Sequence, residues 1–291
     1  MSEKSASPRD IISSYLQVAP LATLMILLVG APLLTVVLLS FWVSDGIAVY
    51  PAFTLANYAH VLSSPVTLSV FLATLRYAAI TLVATGLIGF TCSYFLVFHV
   101  RTLQMQIALF LLCTIPFWTS NVIRMVSWVP FLGREGLANT LLLKAGIIQR
   151  PLDILLYSDF AVVLTYIHLF TLFMIVPIFN SMSKINPNLI EAARDAGASS
   201  WTILVSVIIP LSKTGIALGS IFVVTLVMGD FFVVRVMSGG QSASVVSAMK
   251  NNIDQLYFPQ ASALAVLLVI VVLTMVSAIL RIVDIRRELA R

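Results

Sequence analysis

Charged side chains are scarce in this sequence. Lys, Arg, Asp and Glu make up 10% of the 291 residues, where a soluble domain carries about 25%. So little charge excludes an ordinary water-soluble globule, and no polar stretch is long enough for a separate soluble domain. Cysteine is nearly missing as well. Cys92 and Cys113 stand inside apolar runs, in no metal-ligand spacing, and no disulfide is expected between them. His60, His99 and His168 are scattered over a loop, a helix end and a helix interior, and each reads as structural. There is no phosphate-cradling glycine–lysine loop, no His-Glu-x-x-His run and no Gly-x-Ser-x-Gly elbow. ATP hydrolysis by this chain is therefore not expected.

What is abundant is apolar: 60% of the residues are hydrophobic and the mean hydropathy is +1.04. Crossing the hydrocarbon core takes about 20 such residues in helix. Tyr15 to Val43, Tyr77 to Phe98 (beginning nearer Ser69), Thr102 to Ile123, Phe160 to Ser183, a long or bent stretch from Ile203 to Gly229, and Gln255 to Leu280 each suffice. The expectation is an all-α membrane protein of six transmembrane helices. It divides into an N-terminal segment 1–14, a membrane domain 15–287 and a tail 288–291.

The formal net charge of +5 reads as topology rather than as a nucleic-acid signal. With both termini cytoplasmic, Lys4, Arg9, Arg101, Lys184, Arg194, Lys213 and the cluster Arg281, Arg286, Arg287 and Arg291 lie inside, where anionic headgroups favour them. Arg124, Arg134, Lys144, Arg150, Arg235 and Lys250 then lie outside or near that interface. Asp45 to Pro65 reads as an external loop. In Phe131 to Asp159, Leu137, Leu141, Leu142 and Ile147 recur at nearly helical spacing, which predicts an amphipathic helix at the interface or capping the bundle.

The most informative segment joins the fourth and fifth spans. Asn186 before Pro187 is an N-cap followed by proline at the first helical position. Leu189, Ala192, Ala193 and Ala196 make one stripe of mostly small residues; Glu191, Arg194 and Asp195 fall on the other side. Gly197 suits a left-handed C-terminal cap. Ser199 or Ser200 can start the next helix, with Pro210 available to kink it. A surface helix packing on its own bundle would show the same stripe as one that docks a partner.

The order Glu191-Ala192-Ala193, three residues, Gly197, nine residues, Val207-x-Ile209-Pro210 resembles the cytoplasmic signature of binding-protein-dependent ABC importer permeases, with Val and Ile where Ile and Leu are usual. Pro116-Phe117-Trp118-Thr119-Ser120-Asn121-Val122-Ile123-Arg124, Phe131-Leu132, Gly136-x-x-Asn139, and Met228-Gly229-Asp230-Phe231-Phe232 with Gly239-Gly240 are similar to the spermidine/putrescine permease branch. The resemblance covers roughly Ala52 to Arg287. It implies the type I importer permease fold, a bacterial inner-membrane location and a coupling helix, 187–200, that seats in an ATPase subunit. Leu189, Glu191, Ala192, Ala193, Arg194, Asp195, Ala196, Gly197 and Pro210 carry that coupling role. It also implies an ATPase dimer that binds ATP and Mg, a second homologous permease and an extracytoplasmic solute-binding protein, with no cofactor on this chain.

Ionisable groups at membrane depth are costly and default to functional candidates. Arg76, Arg124, Asp230 and Arg235, with Trp118 and Asn121, are the candidates for a solute path; snorkelling or an internal Asp–Arg pair would account for the charges equally. The resemblance implies a small polar solute, such as a polyamine, opine, amino acid or phosphonate, and three arginines near a path would repel a polycation. Two other classes compete. An ion-coupled secondary carrier would need no ATPase signature, and a membrane-embedded enzyme would need a convergent polar cluster.

Overall fold

Apolar runs of this length can satisfy their backbone groups in hydrocarbon as helices, and the computed structural model is helical nearly throughout. It describes residues 8–283; Lys4, Arg286, Arg287, Arg291 and the tail 288–291 lie outside the described residues. Among the described residues, five helices are long and apolar enough to cross a membrane: α1 (Gln17–Leu39), α2 (Pro65–Phe98), α5 (Asp159–Met182), α7 (Ser200–Met228) and the Phe258–Arg281 part of a last helix. A sixth span results when α3 (Leu103–Trp118) and α4 (Asn121–Lys144), bent by 90° at the break between them, count as one. The remaining helices used below are α6 (Pro187–Asp195), α8 (Val245–Asp254) and α9 (Phe258–Val283).

The third span departs from the single helix expected over Thr102–Ile123. Pro116 has no N–H to continue the ladder, and the chain tightens into a 3-10 turn at Ile115–Trp118. Thr119 is extended, and Ser120 then caps a new helix by accepting from the Val122 amide. The second span is longer than expected, starting at Pro65 rather than near Ser69.

The chain falls into two compact units, residues up to Ser64 with Met249–Leu267, and Pro65–Ala248 with the residues from Leu268. In the first, a π-helical turn at Ile26–Gly30 interrupts α1. A two-stranded hairpin follows, β1 (Val43–Ser44) pairing antiparallel with β2 (Val49–Tyr50). Asp45 closes it: its Oδ1 accepts from the amides of Ile47 and Ala48, each at 2.8 Å. The Ala48 and Ile47 amides hold the Asp45 carboxyl below the ordinary carboxylate value. Asn57 Nδ2 donates to the carbonyls of Ser40 and Trp42, satisfying the end of α1.

In the second unit α2, α5 and α7 pack on one another. Glycine lets them approach where a side chain would not fit. A Cβ on Gly89 would lie 2.7 Å from Met174 Cγ, and one on Gly219 2.6 Å from Met174 Sδ. A Cβ on Gly215 would run into the Pro177 carbonyl and lie 2.6 Å from Ser181 Cβ. Small residues at such crossings gain close van der Waals packing, which drives helix association in lipid. Ser93 Oγ also donates to the Ile175 carbonyl at 3.1 Å. The 131–159 segment folds around a fully buried Asn139, which donates to the Gly133 and Leu152 carbonyls and accepts from the Leu152 amide.

Candidate functional site

The loop between α5 and α7 folds as its caps dictate. Asn186 Oδ1 accepts from the Asn188 amide at 3.0 Å, and Pro187 opens α6. At the far end Gly197 takes φ +82°. Its amide donates to the Arg194 carbonyl at 2.9 Å, and the Ala198 amide to the Ala193 carbonyl at 3.0 Å, a Schellman pair of bonds. The helix therefore stops at Asp195, short of the expected end at 200. Ser199 caps the next helix by accepting from the Thr202 amide at 3.2 Å. Just before Pro210 the helix takes a π-helical turn at Leu204–Ile208. The small-residue stripe stays open: Ala192 and Ala196 are exposed, Ala193 is half-buried and Leu189 is 50% exposed. Glu191, Arg194 and Asp195 are exposed too, as is the Trp201 indole at 72%.

The path candidates form separate hydrogen-bonded groups. Arg76, on α2, is ion-paired with Asp159 at the start of α5, and its guanidinium lies 5.6 Å from the centroid of the Tyr77 ring. The Tyr77 and Ser242 hydroxyls donate to the same carboxylate. Asp230 is half-buried; its Oδ1 accepts from the Tyr166 hydroxyl at 3.1 Å and the Val233 amide at 2.9 Å. Arg235 is exposed on the short helix Phe232–Met237. The structure does bring Trp118, Asn121 and Arg124 together at the break in the third span. Trp118 is 81% exposed, Asn121 is exposed, and Arg124 donates through Nη2 to Asn121 Oδ1.

Beside Trp118 lies a cavity of about 400 Å³ walled by Phe117, Trp118, Phe173 and Phe222. Pro177 and Phe222 also border a second cavity of about 630 Å³, which reaches Asn180, Ser181 and Lys184. An aromatic chamber thus adjoins one that carries Asn180, Ser181 and Lys184 on a mainly apolar wall. Among the described residues no three His, Cys, Asp or Glu side chains gather as metal ligands.

Nothing in the sequence singles out Asp159, Tyr77, Ser242 or Tyr166. Ser158-Asp159 signals a helix start, and Ser158 does cap α5, but nothing local marks a pairing with a residue far back in the chain.

Residues 86–288 match the family described as binding-protein-dependent transport system inner membrane component. The chain belongs to that family. The permease is 33% identical over 227 residues to the spermidine/putrescine transport system permease protein PotB of Escherichia coli strain K12, covering 78% of this chain and 81% of that one. It is 32% identical over 236 residues to PotB of Haemophilus influenzae, covering 81% of each. The fold matches a chain in the crystal structure of a bacterial alginate ABC transporter in complex with an alginate pentasaccharide-bound periplasmic protein, with a TM-score of 0.74 at 16% identity over 96% of each chain. The permease is thus a multi-pass inner-membrane subunit of an ABC importer and a transport component rather than an enzyme. It works with an ATPase and a solute-binding protein.

Proposed function

We propose that this permease pairs with a second, related permease and carries a small polar solute inward by alternating access. An ATPase dimer that binds ATP and Mg drives it, and α6 is the coupling helix. The observation that carries this reading is a helix capped at both ends, held between two membrane spans, whose stripe is left open by its own bundle. Both termini and α6 face the cytoplasm in this reading. Exposed Leu189 and Trp201 supply the apolar contact with the ATPase, and Glu191, Arg194 and Asp195 supply the charged rim. The two cavities along α5 and α7 are this subunit's half of the solute path, with Trp118, Asn121 and Arg124 on it. Arg76, Asp230 and Arg235 stand toward its outer end. The names of the polyamine permeases it resembles point to a solute small enough for such chambers.

Glu191→Lys and Gly197→Val test the coupling assignment. Each is expected to abolish the ATP hydrolysis that the loaded binding protein stimulates and to weaken recovery of the ATPase with the permease, while the permease still accumulates in the membrane. Normal stimulation and recovery in both variants would sink it.

A further inference from the structure

Just ahead of α5 the 131–159 segment walls a cavity of about 500 Å³. Leu132, Arg134 and Leu152 line it on a rigid backbone, because the buried Asn139 amide bonds to the Gly133 carbonyl and to both backbone groups of Leu152. Arg134 Nε and Asp153 Oδ1, also of the lining, stand 3.6 Å apart with both side chains largely exposed. Ile154 between them and α5 is 65% exposed. An open apolar surface bordered by charges of both signs is the kind that a protein partner covers.

Tyr157, Ser158 and Gln241 complete the lining that matters here. Tyr157 takes φ +54°, a left-handed backbone that a bulky residue keeps only where its surroundings over-determine it, as they do at functional sites. Its ring lies on Gly239, where a Cβ would come within 2.7 Å of Tyr157 Cδ1. Ser158 and Gln241 each precede one partner of a single hydrogen bond: the Ser242 hydroxyl donates to Asp159 at 2.7 Å. The same carboxylate holds Arg76 and Tyr77 of α2. This side of the cavity therefore cannot shift without disturbing the tie between α2 and α5.

Sidedness narrows the occupant. The 24 residues of α5 make about 36 Å of helix, against about 30 Å of hydrocarbon core. The cavity precedes the first turn of α5 and α6 follows its last, so the two lie on opposite sides of the membrane. With α6 against the ATPase, the cavity faces the compartment from which the solute-binding protein arrives.

We propose that this cavity seats the solute-binding protein, which lays an apolar side chain on Leu152 and Ile154 and sets charged groups against Arg134 and Asp153. Tyr157 and the Ser242–Asp159 bond carry its arrival to α2 and α5. The proposal rests on the importer reading, with α6 on the cytoplasmic side.

The test uses the assembled complex of this permease with its partner permease and ATPase, and the purified solute-binding protein of the same system. Binding-protein affinity and ATP hydrolysis with and without that protein are measured on one preparation. Arg134→Glu and Ile154→Asp, both at exposed positions, should each weaken affinity for the loaded binding protein by about tenfold or more. Subunit recovery and unstimulated hydrolysis should not change. Arg134→Asp combined with Asp153→Arg rebuilds the pair with its signs exchanged. Affinity should stay low there, whereas restored affinity would make the pair internal to the permease and overturn the seat. Ser242→Ala should leave affinity within about twofold and lower the maximal stimulation by about fivefold or more. Unchanged affinity in both single variants at the cavity, or loss of the partner permease from their complexes, overturns the proposal, as does full stimulation in Ser242→Ala. An unaltered complex that the loaded binding protein neither binds nor stimulates would take down the importer reading itself, and the seat with it.

Discussion

Asp159 holds three donors while Arg76 holds one acceptor, so their substitutions should differ. Asp159→Asn leaves the Arg76, Tyr77 and Ser242 donors competing for one neutral carbonyl, and should cost about 1–3 kcal/mol, read as a lower unfolding temperature in detergent. Arg76→Gln leaves two of the three bonds in place and removes a pair whose side chains are 55% and 43% exposed, so it should cost at most about 1 kcal/mol. Equal losses would mean that the ion pair, not the carboxylate's hydrogen bonds, ties α2 to α5. Gly197 is the other residue with a sharp expectation. A Cβ there meets nothing within 4 Å, so any cost comes from its positive φ. Left-handed backbone costs an ordinary residue about 1–2 kcal/mol and asparagine less. Gly197→Asn should therefore keep ATPase recovery near normal where Gly197→Val loses it. ATPase recovery with the order reversed would show that side-chain volume at the ATPase contact, rather than the cap, decides.

At the scale of elements, the sequence made local rules legible and left long-range contacts unread. Both ends of α6 were readable because Asn186, Pro187 and Gly197 act within a few residues of themselves. Four spans were readable from unbroken apolar runs and a fifth from two runs flanking Lys213, and even the broken one carried its cause in Pro116. The partners of Arg76 and Asp230 were not readable, since Asp159 and Tyr166 meet them only through the fold. Nor was the α5–α7 crossing, although Gly215 and Gly219, four residues apart on one helix face, are the kind of signal that marks one. That crossing gives a further prediction. A Cβ at Gly215 strikes backbone that cannot give way, so Gly215→Val should cost about 3 kcal/mol and leave little folded permease. Gly86, also in a helix, has open space around it. Gly86→Ala should be neutral or stabilising by up to about 1 kcal/mol. Comparable expression and unfolding temperature for both variants would contradict the close approach.

For the whole molecule, sidedness is the property that an isolated chain carries only through its charge bias. In a variant with Cys92 and Cys113 replaced, Leu141→Cys should react with an impermeant thiol reagent on intact cells, and Asn188→Cys only after the cytoplasm is opened. The reverse pattern would turn the permease over and remove α6 from reach of a cytoplasmic ATPase. Gly89 of α2 and Gly219 of α7 both close on Met174, and Gly215 of α7 closes on Pro177 and Ser181, so these approaches all lie on the Met182 side of the middle of α5. By the rise of an α-helix, about 22 Å of α5 lies on the Asp159 side of Met174 and about 12 Å on the Met182 side. The end of α5 next to α6 is thus seated almost backbone on backbone, while the far end is held by the side chains of Arg76, Tyr77 and Ser242.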